Sequence, residues 1–157
     1  MNLLPLFQWC EESGLGRMVR ESVWAFAVIE SVHLLALATM GGAVLLVDFR
    51  MLNLGLRQRP VAELAHEALP FQNAALVVLV LSGVGLFASE AVKCYYSVPF
   101  SVKIVTLLVA TIFTYTIRRR IAFSPDSSGT SRVAVALISV TLWFIVAAAG
   151  RWIGFYG

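Results

Sequence analysis

The chain has 157 residues, 59% hydrophobic and 13% charged, with mean hydropathy +0.83 and a formal net charge of +3. Soluble domains are about half apolar and about a quarter charged, so this balance excludes an ordinary water-soluble globule and selects the lipid bilayer as the solvent. The pI of 9.2 does not point to nucleic acid, because the arginines close apolar segments instead of forming one basic patch.

The opening stretch, residues 1–22, mixes Leu3, Leu4, Phe7 and Trp9 with Glu11, Glu12, Arg17 and Arg20. That pattern suits an interfacial segment lying on the membrane. It lacks a basic start and leads into an apolar run too long for a signal core, so the first hydrophobic helix is expected to be retained.

Four apolar segments follow, at about 23–47, 71–89, 98–117 and 133–152. Each is close to the roughly 20 residues that cross about 30 Å of hydrocarbon. They predict an all-α integral membrane protein, a single four-transmembrane-helix bundle over residues 1–157. The first link, 48–70, should begin as a loop and become a short amphipathic helix over 61–69, set between Pro60 and Pro70. The third link, 124–131, is a flexible loop by composition.

Arg50, Arg57 and Arg59 lie in the first link and Arg118, Arg119, Arg120 and Arg132 flank the third. On the other side Arg17, Arg20, Lys93 and Arg151 are partly offset by Glu11, Glu12 and Glu90. The bias predicts a bacterial inner-membrane protein with both termini periplasmic. Trp24, Tyr95, Tyr96, Trp152, Phe155 and Tyr156 would then form an aromatic belt at the outer interface. Cys10 and Cys94 would share the oxidising side, as a disulfide or as two free thiols.

Chemistry concentrates in the first span. At 100° per residue Phe26, Glu30, His33, Leu37, Gly41, Val44 and Asp48 fall on one stripe. An ionisable group at the bilayer centre costs at least about 2.5–3.5 kcal/mol, so Glu30 and His33 are expected to face protein or water. In the third span Lys103, Thr106, Ala110 and Thr114 form a second polar or small stripe, and the second span offers Ser82, Gly85 and Ser89. These faces should meet in one outer-half cluster of Glu30, His33 and Lys103, with Glu90 near its edge and a Glu30–Lys103 ion pair open to it. A purely structural cluster that locks helix packing is the alternative. Asp48 and Arg50 fall at the same end as Arg118, Arg119 and Arg120, and these groups are expected to form surface ion pairs or to contact anionic lipid head groups.

Two histidines in a small membrane bundle suggest a b-type haem, yet His33 and His66 differ in height by roughly 20 Å in straight antiparallel helices. His66, between Glu63 and Glu67, reads as an interfacial residue or as a metal ligand with those carboxylates. Phosphate-cradling glycine loops, serine elbows and paired zinc histidines are absent from the sequence.

The stretch IESVHLLALATMGGAVLLVDFRMLNLGL, with Glu30, His33, Gly41, Gly42, Asp48 and Arg50, resembles a family of small bacterial four-helix membrane proteins of unknown function. The likeness continues through Pro70, Gly83 to Phe87, Phe100 and Lys103. That family is distantly similar to CopD-type copper-resistance membrane domains and to compact haem-carrying membrane cytochromes. Members often add a histidine near the inner end of the third span, where this chain reads FTYTIRRR.

Three functions are thus expected. One is an electron-transfer or cofactor-carrying subunit, more a carrier than an enzyme, with haem b at His33 shaped by Glu30 and Lys103 and working with a redox partner subunit. A second is binding or transport of copper or another cation through the same cluster, with Met40 as a soft ligand, although the charge of Lys103 opposes it. The third is a membrane anchor or homo-oligomeric scaffold that uses Gly41, Gly42, Gly83 and Gly85.

Overall fold

The computed structural model describes residues 3–155. Two short helices, α1 (Leu4–Glu12) and α2 (Gly14–Glu21), precede the long α3 (Val23–Met51) and α4 (Val61–Ser89). After α5 (Ala91–Tyr96) comes α6 (Val98–Phe113), which passes through a π turn (Thr114–Arg118) into α7 (Arg119–Phe123). The chain ends in α8 (Gly129–Ile153), and the described residues contain no strand. Hydroxyl caps set several helix starts: Ser13, Ser22, Ser97 and Ser128 accept from the amides of Gly16, Ala25, Phe100 and Ser131.

Four helical stretches, α3, α4, α6 with its π turn and α7, and α8, are long and apolar enough to cross a membrane. Their packing is inverted relative to a soluble core. The interior is built largely of Ala36, Ala75, Ala110, Ala136, Ser82 and Ser139, whereas Leu35, Leu81 and Phe144 are about 70% exposed (71%, 69% and 71%). Small residues inside and large apolar ones outside are what lipid-solvated helices need, since close backbone approach supplies the packing and hydrocarbon solvates the rest.

Two boundaries differ from the sequence expectation. The helix begun at Val61 does not stop before the second span; α4 runs unbroken through Pro70. A proline removes one backbone donor, but Ala65, Ala68, Gln72 and Ala75 are buried on both sides of it and hold the helix in register. The third span holds a π turn that periodicity does not reveal.

The arginine-rich links gather at one end of the bundle, here called the basic end. The opposite end carries a cap formed by α1, α2 and α5. Phe7 packs edge-on against Phe87 and Tyr95, with centroids 5.5 and 5.2 Å apart. Glu11 accepts from the Val92 amide at 2.7 Å and pairs with Arg20 at 3.0 Å. Gly16 lets α2 touch α4, because a Cβ there would stand 2.6 Å from the Ala88 carbonyl oxygen and 2.5 Å from that of Glu11. The opening segment is therefore docked on protein, not merely laid on a surface. Trp24, Tyr96, Trp152 and Phe155 of the aromatic belt are exposed, Tyr95 is half-buried, and Tyr156 lies outside the described residues.

Candidate functional site

Near the cap end, the face of α3 that meets α4 brings His33 to Ser82, with Nδ1 and Oγ 2.8 Å apart. A hydroxyl has one proton, and Ser82 donates it to the Val78 carbonyl at 2.5 Å. The bond to His33 is then donated by Nδ1–H, and the Leu79 carbonyl lies close by as a further acceptor. In the uncharged ring this leaves Nε2 with a lone pair and no hydrogen bond among the described residues. Gly83 makes room for the ring, since a Cβ there would stand 3.5 Å from His33 Cε1.

Lys103, half-buried on α6, lies within electrostatic reach of His33 and of Cys94. Its Nζ rests against Gly150 of α8, 3.5 Å from where a Cβ would be. It has no ion pair or hydrogen bond among the described residues. The expected Glu30–Lys103 pair does not form: Glu30 is exposed and also lacks an ion pair among them. The edge of α3 that meets α4 runs through Ile29 and His33, which face Gly85 and Gly83, and Glu30, turned about 100° from Ile29, points away from it. Glu90 lies at the α4–α5 junction, where it lines a crevice of about 220 Å³ with Arg20, Phe26 and Ser89.

The basic end holds a pair that sequence reasoning placed on the surface. Arg118 Nε donates to Asp48 Oδ1 at 2.6 Å and Nη2 to the Val44 carbonyl at 3.0 Å, with side-chain exposures of 5% and 0%. Thr114 and Arg118, four residues apart in the π turn, are buried on one face, and Thr114 Oγ1 accepts from Trp143 Nε1 of α8 at 3.1 Å. Ser139 stands beside the same carboxylate, yet Asp48 Oδ2 and Ser139 Oγ are both buried without a hydrogen-bonding partner. The signal was available: Arg118 continues the Thr106, Ala110, Thr114 stripe at four-residue spacing, Arg119 and Arg120 do not, and Asp48 lies on the helix face that also carries His33.

Residues 6–156 match a family of unknown function, DUF6644. The chain belongs to that family. No curated protein matches it, and no solved structure does.

In this DUF6644 protein the other sequence-derived site residues are dispersed. His66 is exposed at the basic end, about 24 Å along α4 from the Ser82 that holds His33, so the two histidines cannot share one haem within a chain. Glu63 and Glu67 both pair with Arg59 and are not arranged as metal ligands around His66. No group of three or more His, Cys, Asp or Glu side chains comes together among the described residues. Met40 is fully buried in an apolar cluster with Ala75, Trp143 and Val146. Cys10 and Cys94 are separate free thiols. Phe7 and Glu11 already fix α1 on α5, so the docking needs no bridge. Burial pushes the Cys94 thiol up to about 11.

Proposed function

We propose that this protein is a membrane cofactor-carrying subunit that binds a haem b through His33, without catalytic activity of its own. The observation that carries the reading is the oriented imidazole beside an unpaired ammonium. A ligating histidine characteristically donates its other ring N–H to a fixed acceptor, which sets the tautomer and raises ligand basicity; Ser82 fills that role for His33. A haem asks its protein for an axial nitrogen and for cations near its propionates, and His33 Nε2 and Lys103 match both needs. Bound by this chain alone, the iron would take one histidine, since His66 is far away. When bound, the group supplies one-electron chemistry. The chain's own residues ligate, orient and balance charge.

Copper is the weaker reading. The donor set near His33 is small, Met40 is buried among apolar side chains, and the Lys103 ammonium repels a cation. The distant likeness to haem-carrying membrane cytochromes belongs to this proposal, as does the orientation, with the basic end cytoplasmic and both termini periplasmic in a bacterial inner membrane.

The test is an absorption spectrum of protein purified from haem-replete cells. A Soret band that is lost in His33→Ala and shifted in Ser82→Ala supports the reading. A colourless protein that also fails to take up added haem sinks it.

A further inference from the structure

We infer that a groove at the basic end, between α4 and the π turn with α7, binds the phosphate head group of an anionic phospholipid. The groove has a volume of about 640 Å³, and His66, Leu69, Tyr115, Arg119, Arg120 and Phe123 are among its lining residues. That volume falls within the roughly 300–1,000 Å³ of ordinary ligand sites.

An accounting of the arginines at this end singles the groove out. Arg118 is consumed by Asp48 and the Val44 carbonyl. Arg59 is held by Glu63 and Glu67. Arg50 donates to the Arg59 carbonyl at 2.7 Å, Arg57 to that of Asn53 at 3.0 Å, and Arg132 to Ser127 Oγ at 2.7 Å. Arg119 and Arg120 alone in this set lack a carboxylate, carbonyl or hydroxyl partner among the described residues, and both line the groove. The other polar groups there are already spent. Tyr115 donates its hydroxyl to Asn73 Oδ1 at 2.6 Å, and Thr116 donates to the Ile112 carbonyl at 2.5 Å. Two unpaired guanidiniums therefore line the space together with His66, and no acid among the described residues answers them.

The surroundings favour a lipid over a soluble anion. Ile112 stands on the same helical face as the groove and is 55% exposed, and Val77, one turn along α4 from the Asn73 that bonds Tyr115, is 58% exposed. Both offer hydrocarbon surface to acyl chains leaving the head group toward the bilayer middle. Guanidinium forks bind phosphate bidentately, and basic pockets between spanning helices are natural head-group sites.

This inference is independent of the haem reading and has its own test. The full chain in neutral detergent is titrated with phosphatidylglycerol, with phosphatidylcholine and with inorganic phosphate, and bound lipid is counted by native mass spectrometry. Phosphatidylglycerol should bind in preference to the other two. Arg119→Gln with Arg120→Gln should weaken it about tenfold or more, as expected for lost charge-assisted bonds, while Arg57→Gln leaves it unchanged. Equal retention of phosphatidylcholine, or competition by inorganic phosphate at equal concentration, overturns the assignment on wild-type protein alone. So does an anionic preference that survives the double substitution.

Discussion

The two polar clusters of this bundle solve the same problem in opposite ways. At the basic end Arg118 meets the Asp48 carboxylate and the Val44 carbonyl, so its charge is answered inside the chain. Near the cap end Lys103 has no partner among the described residues, and His33 is oriented by Ser82 with its second nitrogen free. The first arrangement locks α3 to the π turn and the π turn to α8, although Asp48 Oδ2 and Ser139 Oγ stay without a partner among the described residues. The second leaves the Lys103 ammonium without a partner among the described residues, and the haem proposal rests on that difference. In a bilayer the distinction is sharp, because an unanswered charge cannot borrow water from the lipid side.

The largest expected effect breaks the lock. Arg118→Leu leaves Asp48 buried without a counter-charge and should cost about 3–5 kcal/mol, read as a lowered midpoint in denaturant titration of detergent-solubilised protein. Replacing both members, as Asp48→Leu with Arg118→Met, should recover most of that loss, since two apolar residues leave no orphan charge. If the double variant is as unstable as Arg118→Leu, the pair is contributing more than mutual neutralisation, and the two clusters are less different than they look.

The spans were legible because their information is local: length and hydropathy alone mark α3, α4, α6 and α8. His33 was legible as an inward residue for a related reason, the cost of an imidazole in hydrocarbon. Glu30 was misplaced by the same logic, since the cost of a charge in hydrocarbon does not say which edge of the stripe meets a neighbouring helix, and the contact edge runs through Ile29 and His33. Arg118 was missed although it continues the Thr106, Ala110, Thr114 stripe at four-residue spacing, because three consecutive arginines at the end of a span were read together as a topology signal. The continuity of α4 through Pro70 and the docking of α2 through Gly16 were hidden too. Both depend on contacts with distant segments, which propensity does not encode.

A middle-sized effect tests whether the cap belongs to the ligand-facing region. Gly16→Ala puts a methyl group against two carbonyl oxygens, and relieving that crowding should cost about 1–3 kcal/mol. The strain should lift α2 from α4 rather than unfold the bundle. Cys94 reports the change. Its thiol is buried and pushed up to about 11, so at pH 8 it is almost wholly protonated and should alkylate slowly in the wild type. Undocking rehydrates it, lowers that value and speeds labelling, while the Arg118–Asp48 lock and the denaturation midpoint of the spans stay nearly as they were. Unchanged labelling of Cys94 would show that α1 and α2 do not shield this end.

The smallest effect is the most discriminating, because its sign differs between the two clusters. Lys103→Met removes a charge that nothing in the chain answers, and methionine keeps nearly the same volume and flexibility. Without ligand, stability should therefore be unchanged or higher by up to about 1 kcal/mol, where the corresponding loss at Arg118 costs several. On the haem proposal, uptake of added haem should fall at the same time, since the ammonium is the group proposed to answer the propionates. Wild type and variant are compared by denaturation midpoint before and after saturation with haem, which stabilises only a state that binds it. A marked loss of stability in the ligand-free variant would mean that Lys103 is structurally answered after all. The contrast between a closed lock and an open site would then fail at the residue on which it most depends.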